Sequence, residues 1–107
     1  TYCLTPPGAS STNAGGEGKS GTRHPGNTHD GASAHLAYQV QRRMRLTLDF
    51  EDRGVRHARF AVLRQATMPA ILVEVGFGIN AADARWMASV AGQRDIAQSI
   101  SDGVLEY

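Results

Sequence analysis

Ten consecutive residues, Met68-Pro69-Ala70-Ile71-Leu72-Val73-Glu74-Val75-Gly76-Phe77, place one carboxylate in an otherwise unbroken apolar run. A run of this length, opened by proline and closed by glycine, predicts a strand buried on both faces. Glutamate is almost never fully buried unless it is paired, because an isolated ionised carboxylate loses its hydration at large cost. Glu74 therefore needs an arginine, a metal-bound water or an open cleft at the end of its strand. The cleft is favoured, since Gly76 and Gly78 follow at once and allow a sharp turn and the close approach of another group. Ligands of open α/β sheets sit just beyond the carboxyl ends of the strands. The alternative for Glu74 is a plain ion pair with a neighbouring arginine, or exposure on an edge strand.

The rest of the chain reads as a single small α/β domain. At 107 residues there is enough chain for one modest core. Thr1 to Thr5 form a short opening strand. Residues 6–31 carry seven of the twelve glycines with no apolar periodicity, which reads as a long loop. Loops of that length are functional or disordered, and disorder is the expectation for residues 8–22. Asp30 is placed to cap a helix whose buried face holds Leu36, Ala37, Val40, Met44 and Leu48, with His35, Arg42 and Arg45 on the other side. A charged connection, Asp49 to Arg56, leads to a strand at Ala58 to Leu63 and a short link, Arg64 to Thr67. Beyond the Glu74 strand, Asn80 caps a short helix with Asp83 in the capping-box position. A last helix runs from about Gly92 to Tyr107, with Ile96, Ala97, Ile100, Val104 and Tyr107 on one face. The order strand, helix, strand, strand, helix, helix predicts a partial twisted mixed β-sheet flanked by helices.

Composition narrows the chemistry. A net charge of +1 makes no general case for nucleic acid or acidic membranes, although Arg42, Arg43, Arg45, Arg53, Arg56 and Arg59 could bind an anion. No stretch approaches the roughly 20 apolar residues that span a bilayer, and no signal peptide opens the chain. Cys3 is the only cysteine, which excludes an internal disulfide; it reads as a small apolar strand residue. His24, His29 and His35 with Asp30 invite a metal reading, but their spacing matches no familiar zinc pattern. There is no Gly-x-Ser-x-Gly elbow, and no complete phosphate loop in which the glycine spacing leads into Lys-Ser or Lys-Thr. The polar candidates around Glu74 are Arg64, Arg53 and Asn80. Arg64, expected at the end of the preceding strand, either holds a substrate carboxylate in bidentate fashion or neutralises Glu74. A lone glutamate acting as general base still needs a water, and amide hydrolysis also needs an electrophilic partner such as zinc. From the residues alone this is half of a site.

Arg53-Gly54-Val55, Ala58, Phe60 and Val62-Leu63-Arg64 lead into Pro69-Ala70-Ile71-Leu72-Val73-Glu74-Val75-Gly76-Phe77 and Asn80. This string closely resembles the carboxyl-terminal half of the zinc-dependent N-acetylmuramoyl-L-alanine amidases of the amidase 3 type. Leu36-Ala37 with Val40-Gln41, and Ile96-Ala97, Ile100, Gly103 and Tyr107, match the family's flanking helices. The resemblance covers residues 33–107 and the opening strand Thr1–Leu4, while the glycine-rich loop matches poorly. It implies that residues 1–107 are the carboxyl-terminal portion of one amidase catalytic domain. It further implies a peptidoglycan substrate, a periplasmic or cell-wall setting, and one Zn²⁺ held by two histidines and a glutamate. Glu74 falls on the family's catalytic glutamate, and Arg64 and Asn80 are candidate substrate contacts. Two departures stand out. The family's zinc ligands belong to segments before the strand begun by Thr1, so no metal ligand is expected here and the chain alone is expected to be inactive. Ile79 also stands where the family commonly has serine. A different class of function, a non-catalytic peptidoglycan-binding module, would keep the groove without the metal.

Overall fold

In a computed structural model, which describes residues 1–76 and 80–107, the chain forms a small mixed α/β unit. The predicted turn at Gly78 and the Ile79 departure lie outside the described residues. Strand β1 (Tyr2–Leu4) ends where Pro6 and Pro7 remove backbone donors. Strand β2 (Arg56–Ala58) pairs with it in parallel, Tyr2 opposite Arg56 and Leu4 opposite Ala58. On the other side of β1, Tyr2 and Leu72 exchange backbone hydrogen bonds of 2.8 and 2.9 Å as an antiparallel bridge.

Helix α1 (Asp30–Thr47) follows a 3-10 helix at Pro25–His29. Asp30 is its first residue and His29 occupies the cap, one position earlier than expected, because Pro25 starts the preceding helical turn. Ser33, Ala37, Val40 and Met44 are buried on one stripe, as their spacing requires. Helix α2 (Ala61–Arg64) is a single short turn. Helix α3 (Ala81–Ala88) begins at Asn80, whose Oδ1 accepts from Asp83 N at 2.8 Å, the cap expected from the sequence. Helix α4 (Val90–Leu105) packs along α1, starting two residues before the expected Gly92 because Ser89 caps it, its hydroxyl accepting from Gly92 N at 3.0 Å. Helices α1 and α4 approach closely at Gly103, where a Cβ would stand 2.5 Å from Val40 Cα.

The core is Val40, Met44 and Leu48, against which Ile71, Val73, Val75, Ile96, Ile100 and Trp86 pack. The alternation of Ile71, Val73 and Val75 shows how the apolar run is used: odd positions face α1, and Leu72 and Glu74 face away. Two expectations are corrected here. The run is not a strand buried on both faces; residues 69–73 and Val75 are half-buried, Met68 and Glu74 are exposed, and among the described residues Leu72 alone bridges to β1. Nor is Ala58 to Leu63 a strand. The ladder ends where Thr5 N bonds Ala58 O, and Leu63 N and Arg64 N turn back to Phe60 O, which gives α2 instead. A short apolar run carries no signal that separates these outcomes.

Residues 8–22 are held rather than loose. Thr12 N donates to His57 O at 2.8 Å and Thr12 Oγ1 accepts from His57 N at 2.8 Å, so the loop lies along the outer edge of β2. Arg59 anchors it from beneath, its guanidinium donating to Gly18 O at 2.9 Å, Ala9 O at 2.6 Å and Ser11 Oγ at 3.3 Å.

Candidate active site

Glu74 reaches its position because β1 fixes Leu72, two residues earlier, and because Gly76 turns the chain away at φ +84°, a conformation suited to glycine. It borders a groove of about 240 Å³ between the sheet and the first turns of α3. Gln41 and Met44 of α1 line it, together with Phe50, Val75, Asn80 and Asp83. Phe50 is fixed by an edge-on contact with Trp86, ring centres 5.5 Å apart. At the near end Thr1 N donates to Gln41 Oε1 at 2.8 Å.

The structure brings together two of the three predicted site residues. Glu74 and Asn80 border the same groove. Arg64 does not join them. It ends α2, which packs on the 3-10 helix at Pro25–His29, beyond the carboxyl end of β1, while Glu74 lies past the amino end of the same strand. Arg64 Nε is buried with no hydrogen-bond partner among the described residues. The guanidiniums that share the groove with Glu74 are Arg45, which faces Asp52 at 3.7 Å, and Arg53, which pairs with Glu51 at 3.2 Å. Sequence reasoning missed Gln41 and Phe50 as groove residues. Gln41 could have been found as the polar position bordering the apolar stripe of α1; Phe50, in an irregular connection, carried no periodic signal.

No three His, Cys, Asp or Glu side chains converge as a metal site among the described residues. The groove offers Glu51, Asp52, Glu74 and Asp83, and none of the described residues lining it is a histidine. His35 instead packs edge-on against Tyr107 at 5.5 Å, and His24 and His29 flank and end the 3-10 helix. This donor set does not fit the histidine-rich zinc site implied by the resemblance. No helix is long and apolar enough to cross a membrane among the described residues.

The structure thus sets Glu74, at the end of the Pro-Ala-Ile-Leu-Val-Glu run, on the border of a groove. Residues 10–106 match the family model described as N-acetylmuramoyl-L-alanine amidase, and the chain belongs to that family. It is 39% identical over 75 residues to the N-acetylmuramoyl-L-alanine amidase LytC of Bacillus subtilis, which covers 70% of this chain and 15% of that protein. Against the amidase AmiC of Neisseria meningitidis identity is 47% over 53 residues, covering 50% of this chain and 13% of the relative. The amidase AmiA of Escherichia coli is 28% identical over 75 residues, 70% of this chain and 26% of its own length. The chain thus spans well under half of these relatives. No solved structure matches it.

Proposed function

We propose that this chain contributes the proton-transfer half of a peptidoglycan amidase, acting on the amide between N-acetylmuramic acid and the L-alanine of the stem peptide. The observation that supports it most directly is Glu74, exposed at a groove on an otherwise core-packed segment of an amidase-family chain. Its carboxylate takes a proton from the attacking water and returns it to the departing amine, the work of a general base and then acid. Asn80, on the same groove, holds substrate; its Oδ1 is occupied by Asp83 N, so Nδ2 is the group it offers. Arg64 touches substrate only where the polymer extends past the groove, given its place at the other end of β1. Zn²⁺, and with it polarisation of the carbonyl, belongs to ligands outside these residues, and the protein works at the cell wall. On its own the chain is inactive.

Two measurements test this. In the complete enzyme, Glu74→Gln should leave zinc bound and lower turnover by roughly 10²-fold or more. Loss of zinc, with normal turnover once it is restored, would overturn the assigned role. The isolated chain given zinc and peptidoglycan should release no new muramoyl ends; their appearance would show that it carries a whole active site.

A further inference from the structure

The connection between α1 and β2 supplies a continuous stretch of the groove's border: Phe50, Glu51, Asp52 and Arg53 all line it. Residues 49–55 form neither helix nor strand, so no ladder fixes where that stretch stands. Side chains tie it down instead. The Phe50 ring meets Trp86 of α3 edge-on. Asp52 Oδ1 accepts two hydrogen bonds, from Gly54 N at 2.8 Å and from Gln41 Nε2 of α1 at 2.7 Å. Its Oδ2 faces Arg45 Nε, one turn further along α1, at 3.7 Å. Resting on the amidase reading, we propose that Asp52 is a positioning residue for substrate. Braced on Gln41, it holds residues 50–53 at the groove that Glu74 borders.

Three features carry the assignment. The bond from Gly54 N closes a turn in which an aspartate side chain takes the N–H two residues on, and Gly54 leaves that turn at φ +68°, a conformation suited to glycine. Such a turn fixes the shape of the connection but not its distance from the helix. The bond from Gln41 fixes the distance, and Gln41 and Arg45, four residues apart on one helix face, meet the same carboxylate. Glu74, by contrast, is placed from another element, since Leu72 two residues earlier bridges to Tyr2. The brace thus acts on the border of the groove and not on the acid. Losing it weakens the hold on substrate in ground and transition states alike, which raises KM and spares kcat. The Asp52 side chain is 34% exposed, so the effect is moderate. What Asp52 supplies is an acceptor oxygen; the exposed charge pair with Arg45 contributes little.

The test is the steady-state kinetics of the complete enzyme on peptidoglycan. Asp52→Ala removes the acceptor. Gln41→Glu sets a second carboxylate against it while keeping an oxygen for Thr1 N. Each should raise KM about threefold to tenfold, the scale of one partly exposed hydrogen bond, and leave kcat within about twofold. Asp52→Asn keeps the acceptor and should recover most of the native KM. Added to Gln41→Glu, it should also reverse that loss, because its amide can donate to the new carboxylate with the roles exchanged. Hydrogen exchange over residues 49–54 should quicken in Asp52→Ala while α4 keeps its protection. If Asp52→Ala does not fold, Gln41→Glu with and without Asp52→Asn carries the result. Unchanged KM, a fall in kcat as large as the rise in KM, unchanged exchange over residues 49–54, or no rescue by Asp52→Asn overturns the positioning role and leaves the amidase reading standing. If the native enzyme cleaves nothing, the amidase reading fails. Peptidoglycan binding then takes the place of KM, and equal binding by native enzyme and variants overturns the role of Asp52.

Discussion

Cys3 is 2% exposed, and burial pushes its thiol up from the ordinary cysteine range. Reactivity needs both access and thiolate, and the strand denies both. Alkylation of the folded chain near neutral pH should be at least about tenfold slower than after unfolding; equal rates would mean that β1 opens readily. The arginines show the limits of reading residues one at a time. In sequence, Arg42, Arg43, Arg45, Arg53, Arg56 and Arg59 resemble a basic patch. In the structure Arg42 and Arg43 share Glu106, Arg45 faces Asp52, Arg53 meets Glu51, and Arg56 and Arg59 hold loop carbonyls. None of those partners is near in the pattern, apart from Glu51. Glu74 was legible because a charge inside an apolar run is conspicuous. Its exposure was not, since that depends on which face of the run β1 and α1 leave open.

Between elements, the pair α1 and α4 is tied at one end by Arg42 and Arg43 to Glu106 and further along by Thr47 Oγ1 to Ser99 Oγ at 2.5 Å. The hydrogen bond from Arg43 holds the Glu106 carboxyl below its ordinary value of 4.5. The folded state therefore binds that proton more weakly than the unfolded state. The tie stabilises fully above the ordinary value and is lost as pH falls through it toward the lower folded value. Thermal melts at about pH 6 and about pH 3 should differ less in Glu106→Gln than in the native chain. An identical acid-induced drop in both would remove Glu106 from the account. The helices themselves were readable: the α1 stripe and the Asn80 cap depend on neighbours within a turn. Strand or helical turn at Phe60 to Arg64 depended on where the β1–β2 ladder stopped, which is a long-range fact.

The whole molecule is thin, 42 × 30 × 19 Å, which leaves room for a single layer of helices against the sheet. With so small a core, its extended loop matters. Arg59, whose side chain is only 10% exposed, is the fixed point for residues 9–18. Arg59→Ala should raise tryptic cleavage after Lys19 and Arg23 several-fold while sites in α1 stay protected, because the loop loses its anchor before the core loses any apolar contact. Uniform cleavage throughout would show instead that Arg59 supports the fold as a whole. Glycine content and missing periodicity pointed to disorder here; the anchor came from one arginine about forty residues downstream, beyond the reach of any local pattern.

The contact between Thr12 and His57 also gives this sheet a direction. In a parallel pair alternate residues bond outward, and the outward groups of His57 are both taken by Thr12. At that point of the border a further strand would find both outward groups of His57 already bonded. The opposite border runs along Ile71 to Gly76, so backbone added there would arrive next to Glu74.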